Sequence, residues 1–439
     1  MRAPLLLSCS LLFACGPVPA TVDAGPTLPD ASVTLHPDAG PVATVDAGVD
    51  AGLPLRTLSD FWANTQWPPY LTLAVNEHAT IYGQVYVAGG TEALGAMADL
   101  EAELGYGAAG SEPSTWAWTA ATFNTQKGNN DEFKAELGAP TSGVFEYAFR
   151  YRVRGASWAG HGEWLLAGVK GPTLLAGEAG LLAVKGGRVR VDTQNLMCVR
   201  DDPAARLEAL AVRWAAMNVD VITVQEVCDE APLGNTAALL AQKLAQRTGR
   251  PWRHLYEQTH LANNTTPEGL GVLTALPIAA SATTLLPTQE FPRRALLAVL
   301  ATPVGMLVAC STHFSFRPED AAFREQQAQA VLAFVGDWQS GSARPPGTAA
   351  LIAGDFNTTP LTPPVQVFTQ GGAGFVDAWA STHPQDPGFS YPSSAPTERI
   401  DYLLVRGGPT VGTTTHEFTA PYTGTSYVSD HSGFGVELQ

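Results

Sequence analysis

The chain is expected to fold as an α/β domain preceded by an all-β module, and three patterns predict this. From about Gly187 onward, apolar runs such as Met306 to Cys310 and Ala349 to Gly354 alternate with segments of helical spacing. Strands apolar on both faces must be covered on both, which requires α/β layering. Between Leu55 and Gly168 the runs instead alternate polar and apolar, as half-buried strands do. Finally, polar residues repeatedly close the apolar runs of the second part, where an α/β sheet gathers functional groups on one rim. At 439 residues the chain exceeds one core, so two folded parts with flanking segments are expected.

The N-terminus runs from Met1-Arg2 through Leu5-Leu6-Leu7 and Leu11-Leu12-Phe13-Ala14 to Cys15. It is too short to span a bilayer and reads as an export signal, residues 1–15. Leu12-Phe13-Ala14-Cys15 resembles a bacterial lipoprotein lipobox, with Leu6-Leu7-Ser8-Cys9 as its rival. The resemblance implies lipidation at Cys15, and several acyl chains on one cysteine would anchor the protein stably to a membrane. The expected location is the bacterial cell envelope, as an outer-membrane lipoprotein, or outside the cell.

Residues 16–54 are rich in Pro, Ala, Gly, Val, Thr and Asp, with Asp-Ala-Gly recurring at 23, 38, 46 and 50. Such a segment cannot bury a core and is expected to be a disordered tether. The net charge of −16 excludes nucleic-acid binding by bulk positive charge.

Residues 55–168 predict a β-sandwich with strands over Tyr70 to Val75, Thr80 to Val87, Thr115 to Phe123 and Val144 to Val153. In the last of these, Phe145, Tyr147, Phe149, Tyr151 and Val153 share one face while Glu146, Arg150 and Arg152 take the other. Trp116 and Trp118 also share a face. They are expected to fill the core; left exposed, they would make a sugar-stacking platform. No residue pattern gives this module a catalytic role or identifies its ligand.

In the segment 187–439, Leu207, Leu210, Trp214 and Met217 predict one helix, and Phe323, Ala330 and Phe334 another. Gln194-Asn195, Gln225-Glu226, Thr312-His313, Gly354-Asp355-Phe356-Asn357, Arg399-Ile400-Asp401-Tyr402 and Ser429-Asp430-His431 are the polar islands. Cys198 lies three residues after Asn195 and Cys228 two after Glu226. If those ends converge, the two thiols meet, and in an oxidising compartment a disulfide is expected. Cys310, inside an apolar run, reads as a small buried hydrophobe. His254, His260, His383 and His416 have no motif around them and read as surface or loop residues.

These islands, together with Gly269-Leu270-Gly271-Val272 through Pro277-Ile278, occur in an order that resembles the endonuclease/exonuclease/phosphatase superfamily over residues 188–439. The resemblance implies a four-layer α/β/β/α sandwich of the DNase I-like type with divalent-metal phosphoesterase activity. Glu226 suits a hard cation, Mg²⁺ first and Mn²⁺ or Ca²⁺ as alternatives, because such ions prefer oxygen. Asn195 would add a carbonyl oxygen or orient a metal-bound water, and Asp430 would serve a second metal or a water.

In the family, the residue matching Asp355 orients or deprotonates the attacking water, and that matching Asn357 donates to phosphate oxygens. His431 is expected to bond the phosphate or protonate the leaving oxygen, with Asp401 holding its other nitrogen. His313 matches the branch of secreted nucleases, neutral sphingomyelinases and several phosphatases rather than the abasic-site nucleases. Arg294 is the candidate phosphate-binding base. Ala275 stands where relatives often carry Arg or Lys.

The function expected from the residues is an exported, lipid-anchored, Mg²⁺-dependent phosphodiesterase, monomeric, acting on extracellular nucleic acid with metal-assisted attack by water. A sphingomyelinase or phospholipase C-like enzyme, and a phosphatase acting on nucleotides or inositol phosphates, are the alternatives. A non-catalytic surface-binding lipoprotein is a third. Since every motif lies in 187–439, that segment is expected to turn over without the β-module.

Overall fold

The computed structural model describes residues 55–56, 58–158, 163–171, 174, 177–198, 202–288, 291–340, 347 and 349–439. The signal segment, Cys15 and the tether lie outside the described residues. The first part is built from β1 (Leu55–Arg56), β2 (Phe61–Trp67), β3 (Tyr70–Leu73), β4 (His78–Val87), β5 (Leu100–Ala108), β6 (Ala117–Ala120), β7 (Thr122–Lys127), β8 (Asn130–Gly138), β9 (Gly143–Val153), β10 (Ser157–Trp158), β11 (Leu165–Ala167) and β12 (Gly180–Val184). One sheet runs β2-β4-β8-β7 and a second β3-β12-β9-β5-β6, with β11 on β9.

Alternation dictates the core between these sheets. Tyr147, Phe149 and Tyr151 of β9 are wholly buried against Ile81, Val85 and Phe133, whereas Arg150 and Arg152 face outward to Glu103 and Glu101. Trp116 and Trp118 are not part of this core. They stack on each other on the outer side of the second sheet, where Trp116 is buried and Arg150 covers Trp118. The sheet also runs past the expected boundary at 168, since β11 and β12 complete it as far as Val184.

The second part comprises β13 (Val189–Asn195), α1 (Pro203–Ala216), β14 (Val221–Glu230), β15 (Gly234–Asn235), α2 (Thr236–Thr248), β16 (Arg253–Ala262), β17 (Thr266–Thr274), β18 (Ile278–Leu286), β19 (Arg293–Thr302), β20 (Gly305–His313), α3 (Ala321–Ser340), β21 (Ala349–Asp355), α4 (Pro363–Thr369), β22 (Val376–Asp377), α5 (Ala378–Thr382), β23 (Asp401–Arg406), β24 (Val411–Glu417) and β25 (Gly433–Leu438). Its sheets run β16-β17-β14-β13-β25-β24 and β18-β19-β20-β21-β23-β22. They meet through Val189, Val191 and Val272 of one and Leu296, Leu300 and Leu351 of the other.

Helices α1 and α2 cover the outer face of the first sheet through Leu207, Trp214, Leu240 and Leu244. Helices α3 and α4 cover the second through Ala328, Val331, Val335 and Phe368. The result is the expected α/β/β/α sandwich. The buried stripe of α3 is rotated from the sequence expectation: Gln327, Ala328, Val331 and Val335 face inward, while Phe323 and Phe334 are only half-buried.

The two parts share a core. Leu181 and Ala183 of β12 join the apolar cluster of Leu297, Val299 and Met306 beside α3. Tyr70 Oη donates to Ala279 O (3.1 Å), and Met306 N donates to Thr72 Oγ1 (3.3 Å). A fragment starting at 187 therefore bares part of the second sheet, which the expectation of an independent catalytic segment did not include. Its stability is expected to fall by about 2–5 kcal/mol from lost burial and hydrogen bonds. Urea unfolding of residues 187–439 beside the full chain checks this; equal midpoints and slopes for the sandwich transition would contradict it.

Candidate active site

Strand register brings the polar islands together. In the parallel pair β13 and β14, Asn195 stands beside Gln225. In the other sheet His313 is in register with Asp355, and Asp355 with Asp401, so three motif residues form one row across β20, β21 and β23. Gly354 makes the approach possible: its φ is +143°, and a Cβ there would lie 2.0 Å from Thr312 O. A register shift between Val224 and Val227 places Glu226 at φ 53°, and such a bulge re-aims a side chain.

Asn195 Nδ2 donates to Glu226 Oε1 (3.0 Å) and Asp355 Oδ2 (3.2 Å), tying the two sheets at the rim. Its side-chain oxygen accepts from Met197 N (2.9 Å) and keeps a second lone pair, while its amide hydrogens tie the two carboxylates. Asp355 Oδ1 accepts from Asn357 N (2.8 Å), the turn that an Asp-x-Asn tip favours. Asn357 Nδ2 donates to Phe314 O (3.1 Å).

His431 Nδ1 lies 2.8 Å from Asp401 Oδ2, and its Nε2 lies 3.7 Å from Asp355 Oδ2. His313 Nε2 is 3.5 Å from the same Asp355 oxygen. Ser390, a residue with no sequence signal, donates its hydroxyl to Asp401 Oδ2 (2.7 Å).

The electrostatics separate the two imidazoles. Burial opposes the charge on His431, but Asp401 and Asp355 outweigh it and raise its pKa to about 10. Burial drives His313 well below its ordinary value, helped by Arg293 and His431, so it is neutral. Burial raises the Asp355 carboxyl to about 7; His431 lowers it, while Asp401 and Glu226 push it up.

Because the folded pKa of His431 lies above its ordinary 6.5, its contribution to stability is fully present below pH 6.5 and is lost as pH rises through about 10. The Tm difference between the wild type and His431→Ala is expected to shrink from pH 7 to pH 10.5. A constant difference would contradict a charged His431.

Arg294 is turned away from this cluster and pairs with Glu257 (3.1 Å). The base in the field of the site is its neighbour Arg293, 3% exposed, which interacts with Glu268, Glu226 and Asp355. Adjacent strand residues point oppositely, so an error of one position reverses the side. Glu268 was missed as well. Burial and then Glu226 raise its pKa to about 8, and His260 Nε2 lies 3.4 Å from it. Its one signal is its place directly before the Gly269 motif. His260 is thus a half-buried rim residue, while His383 stacks on Trp379 and His416 on Phe434 behind Asp401.

Asp430 is half-buried beside His431, within 3.3 Å of Ser429 Oγ, and Cys310 is buried. Cys198 and Cys228 are bonded, with Cα atoms 5.0 Å apart, and Cys198 N donates to Glu226 Oε2 (3.3 Å). The bridge closes a sequence separation of 30 and is expected to contribute about 3 kcal/mol. Chemical denaturation of Cys198→Ser measures the loss, and non-reducing peptide mapping that finds both thiols free would contradict the bond.

Asp355, Asp401 and His431 each offer one ligand atom, all within 4.8 Å of one another. A protonated His431 paired with Asp401 has no lone pair for a cation, and Glu226, whose charge acts on both Glu268 and Asp355, is the neighbouring carboxylate that suits one. Burial is the main cause of the raised pKa values of Glu268 and Asp355, and the charge of Glu226 adds to both; a divalent ion would neutralise that charge.

The Endonuclease/Exonuclease/phosphatase family model matches residues 193–431. No curated protein matches the chain. Among solved structures, a family protein from Leptotrichia buccalis is 19% identical, with 57% of this chain and 99% of that chain covered and a TM-score of 0.48. TDP2 from D. rerio, complexed with a single-strand DNA product, is 16% identical over 58% of this chain and 100% of its own, with a TM-score of 0.47. An endonuclease/exonuclease/phosphatase from Beutenbergia cavernae is 22% identical over 57% and 71%, with a TM-score of 0.45.

Proposed function

The chain belongs to the endonuclease/exonuclease/phosphatase family and is a metal-dependent phosphoesterase, and from that premise we propose an exported, Mg²⁺-dependent phosphodiesterase that hydrolyses extracellular nucleic acid. The observation that carries the reading is the Asp401–His431–Asp355 chain beside Asn195 and Glu226. Glu226 would hold the cation, with Asp430 as a further carboxylate, and the ion would supply charge neutralisation at a phosphate oxygen.

Asp355, with a carboxyl near 7, takes the proton of the attacking water at neutral pH. Asn195 fixes its orientation. The imidazolium of His431 stabilises the charge that develops on the phosphate or gives its Nε2 proton to the leaving oxygen. Neutral His313 and the second amide hydrogen of Asn357 donate to the remaining oxygens.

The rim supports nucleic acid as substrate. Phe316 is 53% exposed, packs on Phe291, and lies with that ring beneath the guanidinium of Arg317. Exposed aromatic and guanidinium planes suit unpaired bases and phosphates. The Cys198–Cys228 bond suits an oxidising compartment, and the lipobox-like segment supports anchoring at Cys15.

A panel of single- and double-stranded DNA, RNA, sphingomyelin and inositol phosphates, with and without Mg²⁺, tests the substrate class. Preferred cleavage of a nucleic acid, weakened in Phe316→Ala, is expected. Preference for sphingomyelin or a phosphomonoester would reject the nuclease reading.

A further inference from the structure

The outer face of the sheet β2-β4-β8-β7 in the β-module carries two open tryptophans. Trp62 is 36% exposed and Trp67 59%. Trp62 stands opposite Tyr86, and a register shift between Thr65 and Trp67 sets Trp67 opposite Tyr82. The alternate residues Phe61, Ala63, Ile81 and Val85 are buried in the sandwich, so both tryptophans and both tyrosines leave the sheet on its outer side. The tyrosines stand four positions apart on β4, which spaces the two aromatic rows by about 14 Å.

A polar row lies between them, with Asn64 paired to Gln84 and Gln84 to Glu132. Glu132 Oε1 accepts from Asn124 Nδ2 (2.6 Å) and Oε2 from Gln84 Nε2 (3.4 Å). Asn130 Nδ2 donates to Gln84 Oε1 (3.2 Å). Glu132 is 5% exposed, and among the described residues no cation pairs with it.

We propose that this face binds a neutral polysaccharide, with the two indoles stacking on the apolar faces of sugar rings and the row between them exchanging hydrogen bonds with hydroxyl groups. A sugar ring combines C–H faces with a rim of hydroxyls, and the sheet presents the matching pattern of apolar planes around amides and a carboxylate. The network already ties these polar groups together, so little order is lost on binding. Two lysines border the rows, Lys134 opposite Tyr82 and Lys127 opposite Asn130, but Glu132 between them is a buried carboxylate that repels phosphate, so the catalytic substrate is not the ligand here.

Trp116 and Trp118, which would make a platform only if left exposed, are unsuited to the task. Trp116 is buried with its Nε1 bonded to Ser111, and Arg150 lies 4.0 Å above Trp118 and 4.4 Å above Trp164. Binding at the open face would hold the exported enzyme on a glycan surface while the catalytic rim works on another polymer.

Affinity electrophoresis of the full chain through native gels containing hydroxyethyl cellulose, xylan, mixed-linkage β-glucan or galactomannan tests the proposal, with DNA gels and phosphatidylcholine vesicles run alongside. At least one neutral polysaccharide is expected to retard the wild type. Trp62→Ala and Trp67→Ala should each weaken that retardation about tenfold, and the double variant should abolish it while hydrolysing a small diester at the wild-type rate. No retardation in any gel, retardation that survives in the double variant, or retention by vesicles or DNA alone would overturn it.

Discussion

His431→Ala lowers kcat on a small phosphodiester by about 10²-fold or more, the scale of losing a positioned charge stabiliser or proton donor. The imidazolium is 5% exposed and is held charged by Asp401 and Asp355, so its electrostatic effect is exerted away from bulk water. Asp355→Asn is expected to cost as much, since the amide neither accepts a proton nor balances His431. Asp401→Asn should do less harm, because its contact is with His431 Nδ1 and its effect on Asp355 is through charge alone. Steady-state kinetics on folded variants, with circular dichroism spectra matching the wild type, check the order. Equal activity in all three would refute the assignment.

Glu226→Gln is expected to leave the fold intact and raise the Mg²⁺ concentration needed for half-maximal activity by about 10-fold or more, as removing one of few carboxylates from a hard-cation site should. The amide oxygen still accepts from one of its two donors, Asn195 Nδ2 or Cys198 N, while the other loses its acceptor, so the side chain's size is kept while its charge is lost. Excess Mg²⁺ should recover part of the rate. A metal titration superimposable on that of the wild type would remove Glu226 as the ligand.

Much of this site was legible because it is made of strand ends. His313, Asp355 and Asp401 each border an apolar run, and strands that pair in register deliver such ends to one row. Arg293 was not legible, because side-chain alternation cannot be phased at a strand start flanked by Pro292. Ser390 sits in a loop with no periodicity, and only the tertiary fold brings its hydroxyl to Asp401.

In the module, β5 and β8 escaped notice because Glu, Gly, Asp and Lys interrupt them; cross-strand pairing and burial of alternate residues overrode their weak propensity. Strand β12 was missed for a different reason: its five residues Gly180–Val184 form a short apolar run, all buried, that reads as part of a connection. Its two-sided burial, against the sandwich and against Leu297 and Met306, is a property of the docked parts that local sequence does not encode.

Hydrolysis of bis(p-nitrophenyl) phosphate by the full chain, followed through chelation and metal titration, tests the central claim most directly. Activity should vanish in EDTA, return with added Mg²⁺, and stay about 10²-fold lower in Asp355→Asn at saturating metal. Hydrolysis that persists in EDTA, or an Asp355→Asn variant as active as the wild type, would contradict a metal-dependent phosphodiesterase built on these residues.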